Sequence, residues 1–500
     1  MLNETTHRQL RQIVGDIRSF LFSKYYNFFV IAVATISYIF HFEIIGALFL
    51  AYVIGLVLVF SDDIMPTALP FMLMIMHILR LYDSFSGWMP VAPFVIPPAL
   101  AVIFHFIFYR KKIVIDTMFW PMLAVSIAIT FGGAFSLSFK QYFSGMAMYY
   151  VLGLGFGQLL LYVLFRSYIN ARRKYDLKEY FVQLMLYIGL FAVIMMFTQY
   201  LENIGGFIDI FRKYGIGKEL EQFQYSKFAQ GLSNNLSAIM LWTMPFPMYY
   251  IRRNKRPLLM FAFMIVQYVF LMLILSRGGI LMGTIELAIS FIYLCVVCKG
   301  KMKKIMIAIT SVCAVAGVAF IIAAWSSLSS ILHISKDEAR VKLFAHAIEC
   351  FSKSPIFGTG LAYDGGVGYN PKEGGMYWYH STPFQIIGSM GLVGVIAYTY
   401  QFVMRVYTMR AKKYRSNFND TMLIAFIGFE LMACVNPGDF CPLPFMLFMT
   451  MMFAVMEIVN EQELKSKNLI DPKEEIVLDV EKLKSADDKS GETNVATDLN

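Results

Sequence analysis

Apolar stretches of near bilayer length alternate with short polar connections along the chain. They fall at about 26–40, 44–60, 64–80, 91–109, 117–137, 144–165, 180–200, 232–251, 257–275, 279–298, 305–325, 384–404, 420–436 and 442–459. A helix of roughly 17 to 25 apolar residues can cross a hydrocarbon core. Transmembrane barrels are excluded, because their strands are short and alternate in polarity. The pattern predicts an all-α polytopic integral membrane protein of about 14 transmembrane helices, with a large extracytoplasmic loop before the last three.

The two ends differ from this pattern. Leu10, Ile13, Val14, Ile17 and Leu21 recur at helical spacing with Arg8, Arg11 and Arg18 between them, so residues 1–24 read as a cytoplasmic amphipathic helix at the membrane surface. The first apolar run begins near Tyr26 and is long enough to stay as a span, so no cleaved signal is expected. From Glu461 onward 11 acidic residues and 6 lysines, with few aromatics, predict a flexible charged cytoplasmic tail over 460–500. Between the ends, 25–230 reads as an N-terminal transmembrane bundle. Residues 231–459 read as a second transmembrane domain that includes an outer loop at 326–383.

Composition agrees. The 500 residues are 58% hydrophobic and 15% charged, against about half and a quarter in soluble domains. A formal charge of +9 does not indicate nucleic-acid binding, because the basic residues sit in clusters between spans. Arg110-Lys111-Lys112, Arg172-Arg173-Lys174, Arg252 to Arg256, Lys299 to Lys304 and Arg405 to Arg415 all fall on the side of the N-terminus. That side holds 25 Lys and Arg before the tail, against 11 on the other. The positive-inside rule makes the richer side cytoplasmic, and an even number of spans puts both termini there. Six cysteines are sparse, and Cys295 and Cys298 end an apolar run with no second ligand pair, so neither a metal nor a cofactor is expected.

Two outer segments, about 201–231 and 326–383, are long enough to build a site. In the second, Ser335 to Glu338 has the capping-box pattern, and Val341, Phe344, Ile348 and Phe351 follow at amphipathic spacing before Ser354-Pro355. A helix over about 336–352 is predicted, with Arg340 in its first turns. Seven glycines follow between Gly358 and Gly375, then Tyr377, Trp378 and Tyr379, and then His380 ahead of the next span. Arg277, in Ser276-Arg277-Gly278-Gly279, lies at the same outer level.

Each of these residues alone has a structural reading. Arg277 can mark the interface, Arg340 can be an exposed charge, His380 can hydrogen-bond a loop, and the aromatics can form an interfacial belt. Gly358-Thr359-Gly360 reads as a plain loop, and Asn234 and Asn235 as caps of the span they begin. Glu286 and Glu430, with His77 and His105, fall inside spans and keep a transporter open as another class. No internal repeat supports that class. The pair Asp62-Asp63 is a candidate acidic site, but on the cytoplasmic side.

From Gly231 to Gly394 the chain resembles the O-antigen ligase and O-antigen polymerase superfamily. The resemblance is carried by Ser276-Arg277-Gly278-Gly279, by Arg340 followed by Pro355-Ile356-Phe357-Gly358-Thr359-Gly360, and by His380-Ser381-Thr382-Pro383-Phe384-Gln385 ahead of Gly388, Gly391 and Gly394. Gly231-Leu232-Ser233-Asn234-Asn235 resembles the family's Asn-bearing start of an earlier span. Ser381 stands where family members often have Asn. The resemblance implies a GT-C-type glycosyltransferase that acts without a metal. Its substrates would be an undecaprenyl-diphosphate-linked glycan donor and a glycan acceptor at the outer face of the bilayer, and other polysaccharide-assembly proteins would be its partners.

His380, Arg277 and Arg340 would then be catalytic. The two arginines, with Tyr377, Trp378, Tyr379, Gln385, Asn234 and Asn235, would bind substrate. The chemistry suits the side chains. A departing diphosphate needs fixed positive charge, which arginine offers as a planar fork, and an acceptor hydroxyl needs a base that works near neutral pH. A bulky loop and many spans suit two large glycans and favour a polymerase. The alternative is transfer to a different acceptor, such as a lipid A core or a protein.

Overall fold

The computed structural model describes residues 4–80, 93–134, 150–170, 176–202, 232–274, 276–323, 338–362, 378–436, 438–440 and 446–466. Among the described residues every regular element is helical. The chain opens with α1 (Glu4–Leu21), α2 (Lys24–Ile39), α3 (Glu43–Phe60), α4 (Ala68–Arg80), α5 (Ile96–Phe108) and α6 (Phe119–Ala128), which continues as a π-turn at Ile129–Ala134. Then come α7 (Phe156–Tyr168), α8 (Leu177–Glu202), α9 (Leu232–Thr243), α10 (Pro247–Arg252), α11 (Pro257–Leu273), α12 (Arg277–Val297) and α13 (Gly300–Ala323). The last four are α14 (Glu338–Lys353), α15 (Thr382–Arg410), α16 (Asn417–Ala433) and α17 (Leu447–Ser466).

Local sequence sets these boundaries. Ser23, Ser276 and Ser416 cap α2, α12 and α16 through their hydroxyls, and α10 and α11 open on proline, whose missing N–H costs nothing in a first turn. Each of the fourteen apolar stretches overlaps helical structure. Among the described residues, by length and composition, six helices can cross a membrane, or seven if α1 and α2, bent by 67° at their junction, count as one span. The protein is a polytopic helical membrane protein. The predicted helix at 336–352 is α14; the residues of its expected cap, 335–337, lie outside the described residues, as do 203–231, 363–377 with Tyr377, and the tail from 467.

The largest buried apolar cluster runs from Leu21 to Val459 and includes side chains of α8, α9, α16 and α17. Helix α8 is central, packing on α2, α4, α9, α11 and α17. Helix α17 is buried almost all round from Leu447 to Asn460, as expected of a helix apolar on every face.

One end of the bundle collects the basic residues. Arg166 pairs with Asp116 at 2.9 Å, Arg252 with Asp420 at 3.1 Å, Lys255 with Glu179 at 3.2 Å and Arg410 with Asp420 at 3.6 Å, and Lys178 meets Glu463. Helices α10, α12 and α15 end here, and α16 begins here. The starts of α9, α12 and α15 and the end of α16 therefore lie at the opposite end, together with α14, which packs along the first turns of α15.

Candidate functional site

At that opposite end, Ser276 stands just before α12 in extended backbone, with φ −75° and ψ 111°. Its hydroxyl oxygen accepts the Gly279 amide at 3.3 Å, and its proton goes to Asn234 Oδ1 on α9 at 2.9 Å. Arg277, the first residue of α12, is half-buried beside it. The two glycines after Arg277 allow close packing. A Cβ on Gly278 would lie 2.9 Å from the Val435 side chain, and one on Gly279 would lie 2.7 Å from Ser237 Oγ. Arg277 is thereby set where α9, α12 and the end of α16 converge.

Arg340 and His380 are placed at one end of a parallel helix pair. The rings of Phe344 and Phe384 stack with centroids 4.2 Å apart and planes 7° apart. Further along, a Cβ on Gly388 would meet the Ala347 backbone at 3.2 Å. Both contacts advance along α14 and α15 in the same direction, so the helices run parallel. Arg340 precedes Phe344 by four residues and His380 precedes Phe384 by four. The two therefore lie at the same end of the pair.

His380 is exposed and has φ 53°, the left-handed region that costs a non-glycine residue on the order of 1–3 kcal/mol. Neighbouring side chains hold it there. Gln385 is fully buried; its Oε1 accepts the Tyr379 amide at 3.1 Å and its Nε2 donates to Ser389 Oγ at 3.0 Å. Tyr379 is also fully buried, donating its hydroxyl to Cys350 Sγ at 3.3 Å. These two, expected to contact substrate, pin the His380 turn onto α14 and α15, while Trp378 is 37% exposed. Asn235 is half-buried next to Asn234. The signal missed in the sequence was the five-residue interval from His380 to Gln385, which lets a side chain in the first helical turn cap the segment before it.

Gly358-Thr359-Gly360 is more than a loop. Helix α15 breaks at Gly391, with φ 59° and ψ −151°, and residues 354–361 enter the break. The carbonyls of Pro355 and Ile356 accept the amides of Leu392 and Val393, while the amides of Thr359 and Gly360 donate to the carbonyls of Gly388 and Ser389. Leu361 continues to the Gly133 carbonyl of the π-turn. The segment after Arg340 thus fixes α14 on α15 and α6.

The other ionisable candidates have partners, apart from Glu286. Arg405, 2% exposed, pairs with Glu430 at 3.3 Å between α15 and α16. Asp63 accepts the Met65 amide at 2.9 Å and Asp62 pairs with Lys111 at 3.5 Å, so that pair is a turn of the basic end. His77 lies between Ser37 Oγ at 2.9 Å and the Leu73 carbonyl at 2.7 Å, and His105 Nδ1 meets the Leu58 carbonyl at 2.8 Å. Glu286 is fully buried against Gly428, with neither carboxylate oxygen hydrogen-bonded among the described residues. Among the described residues no three His, Cys, Asp or Glu side chains are grouped as metal ligands.

No curated protein matches the chain. Residues 259–399 match the family model described as O-antigen ligase. The match begins in α11, ends in α15 and contains Arg277, Arg340 and His380, while Asn234 lies before it, in α9. The stretch that builds much of the far end of the bundle is thus similar to the O-antigen ligases over residues 259–399, in agreement with the O-antigen ligase and polymerase superfamily to which the motifs pointed.

Proposed function

We propose that the protein is a metal-independent polysaccharide polymerase that moves a glycan from undecaprenyl diphosphate to the acceptor sugar of another lipid-linked repeat at the outer face of the inner membrane. The basic end is then cytoplasmic, with both termini, and the end bearing Arg277, Arg340 and His380 faces out. The observation that carries the reading is the placement of Arg340 and His380, each four residues ahead of the stacked Phe344–Phe384 pair, within a segment that matches the O-antigen ligases.

In this reading Arg277 and Arg340 hold the diphosphate and stabilise the charge that gathers on the oxygen joining it to the anomeric carbon as that bond breaks. His380 takes the proton of the acceptor hydroxyl as that oxygen attacks the anomeric carbon. No acid is required, because the diphosphate is already a good leaving group.

The test is a reconstitution of the purified protein with one undecaprenyl-diphosphate-linked repeat as both donor and acceptor. A ladder of products of increasing length is expected. Transfer only after a lipid A core or protein acceptor is added would make it a ligase. Movement of the lipid across the bilayer without a covalent product would make it a transporter.

A further inference from the structure

The hydrogen bond between Ser276 and Asn234 fixes which face of a carboxamide meets the site. Ser276 is 4% exposed, so its hydroxyl proton needs an acceptor in the protein. One lone pair of its oxygen already takes the Gly279 amide, and the proton goes to Asn234 Oδ1. With the amide turned the other way, Asn234 would offer a second donor, and the serine proton would lose its acceptor among the described residues. The orientation is therefore determined by the network. It turns the Asn234 NH2 away from Ser276, on a half-buried residue at the start of α9, beside the residue before Arg277. Gly279 enforces the spacing, since a Cβ there would strike Ser237 Oγ at 2.7 Å and push α9 from α12.

We propose that Ser276 is a positioning residue that presents the Asn234 NH2 group, next to Arg277, as a neutral donor to an anionic oxygen of a lipid diphosphate. The inference rests on the reading of Arg277 as a diphosphate contact. Asn234 adds direction to the charge of Arg277: an amide N–H favours an oxygen in line with it, whereas a cation attracts from any side.

The experiment measures binding of undecaprenyl diphosphate itself to the purified full-length protein in detergent, alongside thermal unfolding. Asn234→Asp keeps the oxygen that Ser276 needs and replaces the donor by an anion. It is expected to unfold at the wild-type temperature and bind on the order of tenfold or more weakly. Ser276→Ala is expected to weaken binding several-fold, Ser276→Thr to restore it, and Ser276→Ala to add nothing in an Asn234→Ala background. Wild-type affinity in Asn234→Asp would overturn the proposal, since the asparagine would then serve only to tie α9 to α12. So would additive losses in the double variant. Wild-type protein that does not bind undecaprenyl diphosphate at all would instead refute the reading of the site as a diphosphate site.

Discussion

Pro355 holds Leu392: its carbonyl accepts the Leu392 amide at 2.8 Å across the break that Gly391 makes in α15. An interrupted helix leaves amides and carbonyls without partners, which is costly where no water can reach them. Residues 355–360 supply both kinds of partner, two carbonyls to the C-terminal part and two amides to the N-terminal part. Two glycines make this possible. A Cβ on Gly391 would lie 2.6 Å from the Pro355 carbonyl oxygen, and one on Gly358 would lie 2.3 Å from the Met390 nitrogen, both in positive-φ backbone. Gly358→Ala and Gly391→Ala are each expected to destabilise the protein by on the order of 3 kcal/mol, from left-handed strain and overpacking together. Gly317→Ala, with open space at the Cβ position, is expected to be neutral or slightly stabilising. Thermal unfolding in detergent checks both, and unfolding of Gly391→Ala at the wild-type temperature would refute the splice.

The helices were legible because hydropathy dictates them: a stretch such as Glu43–Phe60 must bury its backbone polar groups in its own hydrogen bonds. The order of Arg277, Arg340 and His380 was legible as motifs. The break at Gly391 was not. Hydropathy does not change across it, and its cause is a segment some thirty residues earlier that supplies the missing hydrogen bonds. The buried roles of Tyr379 and Gln385 were hidden for a related reason. An aromatic and an amide beside a histidine read equally well as sugar contacts or as supports, and only the partners, Cys350 and Ser389, distinguish the two.

Glu286→Gln is expected to leave glycan transfer within about twofold of wild type. The residue lies nine positions along α12 from Arg277, roughly 13 Å at 1.5 Å per residue, and is packed against Gly428. Glutamine keeps its shape and polar atoms. A loss above tenfold, with normal folding, would instead mark Glu286 as a working ionisable group and favour ion-coupled transport.

Arg277→Lys is expected to lower turnover on the order of 10²-fold although the charge is kept. Lysine provides a point charge on a flexible stem where arginine provides a planar fork, and removal of one preorganised donor to a developing oxyanion has effects of that size. Turnover in the reconstituted assay gives the measurement. Near-wild-type output from a normally folded Lys variant would leave Arg277 as an interface anchor.

The membrane orientation can be read by labelling. With the basic end cytoplasmic, a cysteine introduced near Gly366 is expected to react with an impermeant thiol reagent in intact cells, and one in the tail after Ser466 only after permeabilisation. The reverse pattern would invert the topology, and the outer-face site with it.

His380 permits a test in which stability and activity move in opposite directions. Its φ of 53° suits glycine, so His380→Gly relieves left-handed strain while removing the imidazole. Glycine also gains freedom in the unfolded chain, which offsets part of the relief. The variant is therefore expected to unfold at or slightly above the wild-type temperature and to keep its affinity for the lipid diphosphate, because in the proposed reading the arginines and Asn234 provide that affinity. Transfer is expected to fall by roughly 10²- to 10⁴-fold, the range for loss of a general base. If His380 served the turn between Tyr379 and α15 through its backbone alone, the glycine variant would transfer glycan at the wild-type rate, and the base would have to be sought elsewhere.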